Sequence, residues 1–118
     1  MQFSISRENL LKPLQQVCGV LSNRPNIPVL NNVLLQIEDN RLTITGTDLE
    51  VELSSQTQLS SSSENGTFTI PAKKFLDICR TLSDDSEITV TFEEDRALVQ
   101  SGRSRFTLTT QPAEEYPN

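Results

Sequence analysis

The fold is decided by a stretch whose hydrophobic period changes partway along it, TFTIPAKKFLDICRTL at residues 67–82. Its first residues alternate polar and apolar side chains, which predicts a strand. From residue 72 onward the spacing predicts a helix over residues 72–82. Apolar side chains recur there every three or four positions, at Phe75, Leu76, Cys79 and Leu82.

The same pattern occurs near the start of the chain. Phe3-Ser4-Ile5 corresponds to Phe68-Thr69-Ile70 at an offset of 65 residues. A helix over residues 7–21 is predicted to follow, although Pro13 within it removes a backbone donor and can kink it or move its start. The apolar stripe of this helix consists of Leu10, Leu11, Leu14, Val17, Cys18 and Leu21.

Three short strands are predicted after each helix, so the chain consists of a duplicated unit of strand, helix and three strands. Leu49, Val51 and Leu53 alternate with polar residues and are expected to share one buried face. Residues 60–66 are predicted to link the halves. The predicted strands cover residues 33–37, 41–45 and 49–55 in the first half and 88–92, 97–101 and 105–109 in the second.

Length and patterning together predict the fold class. A chain of 118 residues is one ordinary domain. Strands with one polar face tolerate water on that side, while amphipathic helices cover the other. We therefore predict an α+β domain over residues 1–118, with two helices packed on one face of antiparallel sheets.

The charges are unevenly distributed. The formal net charge is −6, yet the two predicted helices and the loop at residues 22–26 carry six basic and two acidic residues, and the remainder sums to −10. A basic face on an acidic protein is typical of a surface that meets a polyanion. With no stacked aromatics or long recognition helix, phosphate contacts without base readout are favoured. The six basic residues are Arg7, Lys12, Arg24, Lys73, Lys74 and Arg80.

Enzyme chemistry has little support in the sequence. The chain has no histidine, and its four glycines form no phosphate-binding spacing. Cys18 and Cys79 fall on apolar stripes and are expected to be buried thiols. We predict no catalytic residue, metal ligand or cofactor, and expect a cytoplasmic protein without signal segment or membrane span. A carboxylate-metal phosphoesterase is the enzyme alternative, with Glu93, Glu94 and Asp95 as its possible ligands; Asp84 and Asp85 are the other pair that could hold a metal ion.

The last predicted strand allows two interpretations. Arg103 and Arg105 stand beside Phe106 and Leu108. An exposed edge of this composition favours a protein partner, whereas two core-facing apolar residues beside two solvated arginines would give the same pattern. A freestanding interaction module that uses this edge is the second functional hypothesis.

The order of these residues closely resembles the N-terminal domain of the bacterial DNA polymerase III beta subunit, the sliding-clamp family. The resemblance covers the whole chain. It is carried by Phe3, residues 10–17 (LLKPLQQV), Arg24-Pro25, Leu35-Gln36, residues 45–50 (TGTDLE), residues 75–80 (FLDICR), residues 101–106 (SGRSRF) and Pro117-Asn118.

The resemblance implies a processivity factor whose subunits each hold three such domains, residues 1–118 being the first. Two subunits are expected to close head to tail into a ring around double-stranded DNA, with helices lining the hole and sheets forming the outer wall. The replicative polymerase and the clamp loader are expected to bind later domains that this chain lacks.

The resemblance also implies residue roles. Arg24 and Lys73 are expected to contact DNA, Lys73 standing where close relatives carry Arg, so that bidentate phosphate pairing is lost. Arg7, Lys12 and Arg80 join them as candidates through the charge pattern. The expected subunit interface, facing an acidic and apolar surface on the partner's third domain, consists of Lys74, Arg96, Arg103, Arg105, Phe106 and Leu108.

Overall fold

The computed structural model describes residues 1–21, 27–62 and 64–117. The helices are α1 (Arg7–Cys18) and α2 (Ala72–Thr81), and short 3₁₀ segments lie at Pro28–Asn31 and Ala113–Glu115. The strands are β1 (Gln2–Ser6), β2 (Asn32–Glu38), β3 (Arg41–Thr47), β4 (Glu52–Gln58), β5 (Ser61–Ser62), β6 (Gly66–Pro71), β7 (Glu87–Glu93), β8 (Arg96–Ser101) and β9 (Ser104–Thr109).

The two halves exchange their first strands. A five-stranded sheet has the order β5-β1-β7-β8-β9, and a four-stranded sheet has the order β4-β3-β2-β6. Strand β1 pairs antiparallel with β7 of the second half, and β6 pairs antiparallel with β2 of the first. The predicted α+β class and duplicated unit are confirmed, but neither half completes its own sheet.

The core lies between the helices and the sheets. Helix α1 packs against β1, β3 and β4, while α2 contacts α1, β2 and β6. The apolar stripes predicted for both helices are largely buried, and the opposite strand faces carry polar side chains, as in β4. The largest fully buried side chains include Phe3, Phe75, Ile5, Leu10, Leu14, Leu35, Leu42, Ile44, Ile70 and Ile88.

Helix α1 runs through Pro13 without ending there. Proline has no N–H, so the carbonyl of Asn9, four residues earlier, loses its helical donor. The hydroxyl of Thr57 on β4 donates to that carbonyl at 2.8 Å instead. The sheet thus satisfies the acceptor that the proline leaves unpaired.

Helix α1 ends at Cys18 rather than at Leu21 as predicted. The amides of Val20 and Leu21 bond three residues back, to Val17 and Cys18, so the chain tightens after Gly19. The apolar stripe continues through Leu21, which still packs against the core. Periodicity therefore overestimated the helix by three residues.

The predicted strand at residues 49–55 was wrong at its start, because β4 begins at Glu52. Leu49 and Val51 belong to a turn and are about half exposed, at 52% and 53%. Side chains at positions 47 and 48 bond the local backbone there, which competes with strand pairing. Within the predicted linker, residues 61–62 form β5, a short strand that pairs with β1.

Candidate nucleic-acid interface

The two helices lie antiparallel, which places their basic residues on one helical layer. At one end, the Arg7 guanidinium donates through Nε to the carbonyl of Cys79, at 2.7 Å. At the other end, the Cys18 thiol lies 3.8 Å from the carbonyl of Ala72. The end of α1 therefore meets the start of α2.

Three candidate cations, Lys12, Lys73 and Arg80, are exposed on the helices. Within the part of the chain that the structure describes, Lys12 and Lys73 form no ion pair. Arg80 lies 3.8 Å from Asp77 across an exposed helical turn, a pairing that contributes little. These cations are therefore available to an anionic ligand.

The start of α2 adds to the positive potential around Lys73. Its first turn holds no acidic residue, and its N-cap, Pro71, makes no side-chain capping bond. The helix dipole places partial positive charge at this end, where backbone N–H groups lack intrahelical acceptors. Lysine there is unfavourable for the helix itself but favourable for binding phosphate.

Arg7 differs from the other candidates because its guanidinium is already paired within the protein. Besides the bond to Cys79, its Nη1 donates to the Asp84 carboxylate at 3.1 Å, and its side chain is only 15% exposed. It joins the start of α1 to the end of α2, where a cation is favoured by the helix dipole. Arg24 lies outside the described residues.

The candidate subunit interface is mostly one sheet edge. Strand β9 ends the five-stranded sheet and pairs on one side with β8. Arg96 and Arg105 are exposed on these two strands and Arg103 is exposed in the turn between them, whereas Lys74 lies on α2. An edge strand presents unpaired backbone groups on which another strand can pair.

The two apolar residues of this edge differ in burial. Leu108, opposite Ala97, is 8% exposed and belongs to the core, while Phe106, opposite Val99, is half-buried against it. Leu108 is therefore chiefly a core residue, and Phe106 is the more accessible one. The core-facing interpretation of this strand applies to Leu108.

The carboxylates that could have held a metal ion are not gathered into a site. In residues 1–21, 27–62 and 64–117, no group of three His, Cys, Asp or Glu side chains is placed to hold a metal. Asp84 pairs with Arg7, and residues 93–96 form the turn of the β7–β8 hairpin.

Neither described helix has the length and hydropathy needed to cross a bilayer.

Both cysteines are free thiols, of which Cys79 is buried as predicted and Cys18 is only partly buried. Burial raises the pKa of Cys79 to about 12 and that of Cys18 to about 11, well above the ordinary 9.0. Lys73 and Arg80 act against this rise at Cys18 but do not outweigh it. Thiols that hold their protons so strongly are poor nucleophiles.

Comparison with known proteins places this geometry in a family. The family model described as the DNA polymerase III beta subunit, N-terminal domain, matches residues 1–118. The chain belongs to this family. The fold agrees, since a DnaN sliding clamp (DNA polymerase III subunit beta) from Pseudomonas aeruginosa superposes with a TM-score of 0.95 at 52% identity, over 100% of this chain and 32% of that one.

Two relatives in the beta subunit family show how far the similarity extends. A beta sliding clamp from Haemophilus influenzae is 98% identical over 118 residues, which are 100% of this chain and 32% of that protein. A beta sliding clamp from Escherichia coli K12 is 53% identical with the same coverage. The chain thus spans about a third of the length of these two relatives.

Proposed function

We propose that this chain is the first of three domains in a subunit of a DNA sliding clamp. Two subunits close into a ring around duplex DNA and tether the replicative polymerase, which makes replication processive. The observation that carries the proposal is the segregation of charge: unpaired cations on the helix layer of a protein whose net charge is −6.

The proposal assigns DNA contact to Lys73, Lys12 and Arg80, with Arg24 and Arg7 as further candidates. These contacts go to phosphates, so they carry no sequence preference. Each phosphate neutralised contributes about −0.9 to the salt slope of binding, so three or four contacts hold DNA weakly. Weak contacts suit a ring that stays on DNA by enclosing it and must slide.

The sheets face away from the DNA in this proposal. Their outer faces are polar, and the excess acidic charge lies outside the helix layer, which disfavours DNA binding to the wrong surface. The β8–β9 edge and Lys74 of α2 bind the third domain of the second subunit. The residues of this edge are Arg96, Arg103, Arg105, Phe106 and Leu108. The polymerase and the clamp loader bind later domains, and the protein acts in the cytoplasm as a non-catalytic accessory subunit without a cofactor.

The test uses this chain fused at its end to the part of the Haemophilus influenzae relative that follows the matched region. The fusion is loaded by its clamp loader onto nicked circular DNA, and retention is measured before and after the circle is linearised. We expect retention on circles and loss from linear ends. Equal retention on both forms would contradict topological linkage and indicate ordinary affinity binding.

Charge reversal on the helix layer separates the clamp from an interaction module that never meets DNA. Lys12→Glu with Lys73→Glu is expected to impair loading. It should also reduce the magnitude of the salt slope of DNA association by about 2, because two phosphate contacts are lost. Arg41→Glu, an exposed arginine on β3, is the matched control and should change neither. An unchanged slope in the double variant would favour the module.

A further inference from the structure

The clearest feature that DNA binding does not explain is an apolar turn after β3. Leu49 and Val51 are the exposed large apolar side chains of the described residues, at 52% and 53%. With Pro117 and the neighbouring acidic residues they line an open depression of about 270 Å³. We call Leu49, Val51 and Pro117 the turn patch.

The turn that carries the patch is held in one conformation. The Asp48 carboxylate accepts from the amides of Glu50 and Val51 at 2.9 and 2.8 Å. The Thr47 hydroxyl donates to the Val51 carbonyl at 2.8 Å and accepts from the Leu49 amide at 3.0 Å. The two exposed side chains are therefore presented on a preorganised backbone.

Leu49 itself adopts a conformation that leucine rarely takes. Its φ is +80°, in the left-handed region that favours glycine. Local strain of this kind persists only where surrounding bonds impose it, as the bonds of Thr47 and Asp48 do here. These bonds therefore hold a large apolar side chain at the surface, where it stays half exposed within this domain.

The end of the chain lies beside this turn. Tyr116 is 5% exposed, and its hydroxyl donates to the carbonyl of Thr45 on β3 at 3.1 Å. Pro117, the next residue, lines the same depression as Leu49 and Val51. Any polypeptide that continues from this domain therefore starts at the turn patch.

We propose that the turn patch is covered by the polypeptide that follows this domain in the longer relatives. Those proteins are about three times as long as this chain, and the match is to their N-terminal domain. Because Pro117 lines the same depression as Leu49 and Val51, a polypeptide that continues from it reaches these side chains at little cost in chain entropy. The inference rests on family membership and not on the proposed DNA contacts.

The charges around the patch define the chemistry of the covering segment. Glu50 and Glu52 border the same depression, so two carboxylates flank the apolar pair. A segment that combines apolar side chains with neutral or basic neighbours fits this surface, while an acidic one is repelled. Covering the patch removes from water the apolar area that the turn exposes.

Photo-crosslinking in the fusion described above tests the proposal without DNA. Leu49 is replaced by p-benzoylphenylalanine, and crosslinked peptides are identified by mass spectrometry. We expect links within one molecule to residues beyond 118. The control is the same replacement at Asp85, an exposed residue after α2. Links only to a second molecule, or no links above the Asp85 level, would overturn the proposal.

A second measurement does not depend on the crosslinker. In the fusion, Leu49→Ser with Val51→Ser is expected to speed hydrogen exchange just beyond residue 118 roughly tenfold, because the covering segment opens more often. Asp85→Ser is the control and should leave that exchange unchanged. Unchanged exchange in the double variant, with the core strands still protected, would also overturn the proposal. DNA retention plays no part in either readout, so the two proposals can fail separately.

Discussion

Gly46 allows α1 to approach β3 more closely than any other residue would permit. A Cβ at this position would lie 2.6 Å from Cγ1 of Val17 and 3.2 Å from the Val17 carbonyl. Val17 is fully buried on α1 and its short branched side chain has little freedom to move. The absence of a side chain at Gly46 therefore fixes the distance between helix and sheet.

Gly46→Ala is expected to lower the free energy of unfolding by about 1–3 kcal/mol, because the added methyl group overpacks a filled core. Urea denaturation measures the change. Gln16→Ala, at an exposed position on the same helix, is the control and should stay within about 0.5 kcal/mol of the parent. A Gly46→Ala protein of parental stability would show that α1 moves away from the sheet freely.

Ionisation of the Cys79 thiol in the unfolded chain is expected to lower the free energy of unfolding at alkaline pH. Burial raises its pKa to about 12, so the folded protein keeps a proton that the unfolded chain loses above its ordinary pKa of 9.0. Its contribution is complete below pH 9 and is lost as pH rises toward 12. Cys18 and Tyr116, with pKa values raised to about 11 and 12, act in the same direction.

We therefore expect the free energy of unfolding to decrease from pH 8.5 to pH 10.5. Cys79→Ala removes one of the groups responsible, so its decrease over the same interval should be smaller, whatever its stability at pH 8.5. Urea titrations at several pH values provide the comparison. Parallel curves for parent and variant would mean that Cys79 ionises equally in both states.

At the scale of single elements, α1 tolerates its proline through a bond from the sheet. Thr57→Val keeps the shape of the side chain but removes the donor to Asn9, and should cost about 0.5–1.5 kcal/mol. In a Pro13→Ala background, the new N–H bonds the same carbonyl, so the cost of Thr57→Val should drop below about 0.5 kcal/mol.

A double-mutant cycle by urea denaturation measures this coupling. Thr57→Ser retains the hydroxyl and is the control that should restore most of the lost stability. Equal costs in both backgrounds would show that the Asn9 carbonyl finds water rather than a protein donor once the threonine is gone.

The elements most readily predicted from sequence are those in which burial follows one period. The stripes of α1 and α2 predicted both helices, with α2 ending one residue early at Thr81. Leu49 and Val51 misled because their alternation with polar residues imitates a strand. The signal that could have corrected this is Thr47-Asp48, whose side chains commonly bond the backbone two or three residues ahead.

The candidate site was predictable in part. The uneven distribution of charge could be read from sequence because Lys12, Lys73 and Arg80 fall opposite the apolar stripes. The role of Arg7 could not, because its partners Cys79 and Asp84 are more than seventy residues away in the chain. Sequence spacing indicates which face of a helix is exposed to solvent, but not which distant groups form hydrogen bonds or ion pairs with its charged residues.

For the molecule as a whole, strand exchange makes the two halves one folding unit. The pairing of β1 with β7 and of β6 with β2 joins strands from opposite halves. Local periodicity contains no information about such pairing, which is why the duplication was predicted and the exchange was not. Each half alone would leave a sheet one strand short, with part of its core exposed.

Separate fragments of residues 1–63 and 64–118 should therefore be unfolded alone and fold when mixed. Far-UV circular dichroism and thermal unfolding of each fragment, of the equimolar mixture and of the intact chain test this. We expect a cooperative transition only for the mixture and the intact chain. A cooperative transition in either isolated fragment would show that the exchanged strand is dispensable.

The strand exchange also affects how this domain is made in the cell. Phe3 pairs with Val90, so the ribosome must add 87 further residues before the first strand meets that partner. During this interval Phe3 and Ile5, both buried in the finished domain, belong to a nascent chain that cannot close its sheet. The time needed to translate these 87 residues therefore sets the shortest interval over which the growing polypeptide needs shielding by chaperones.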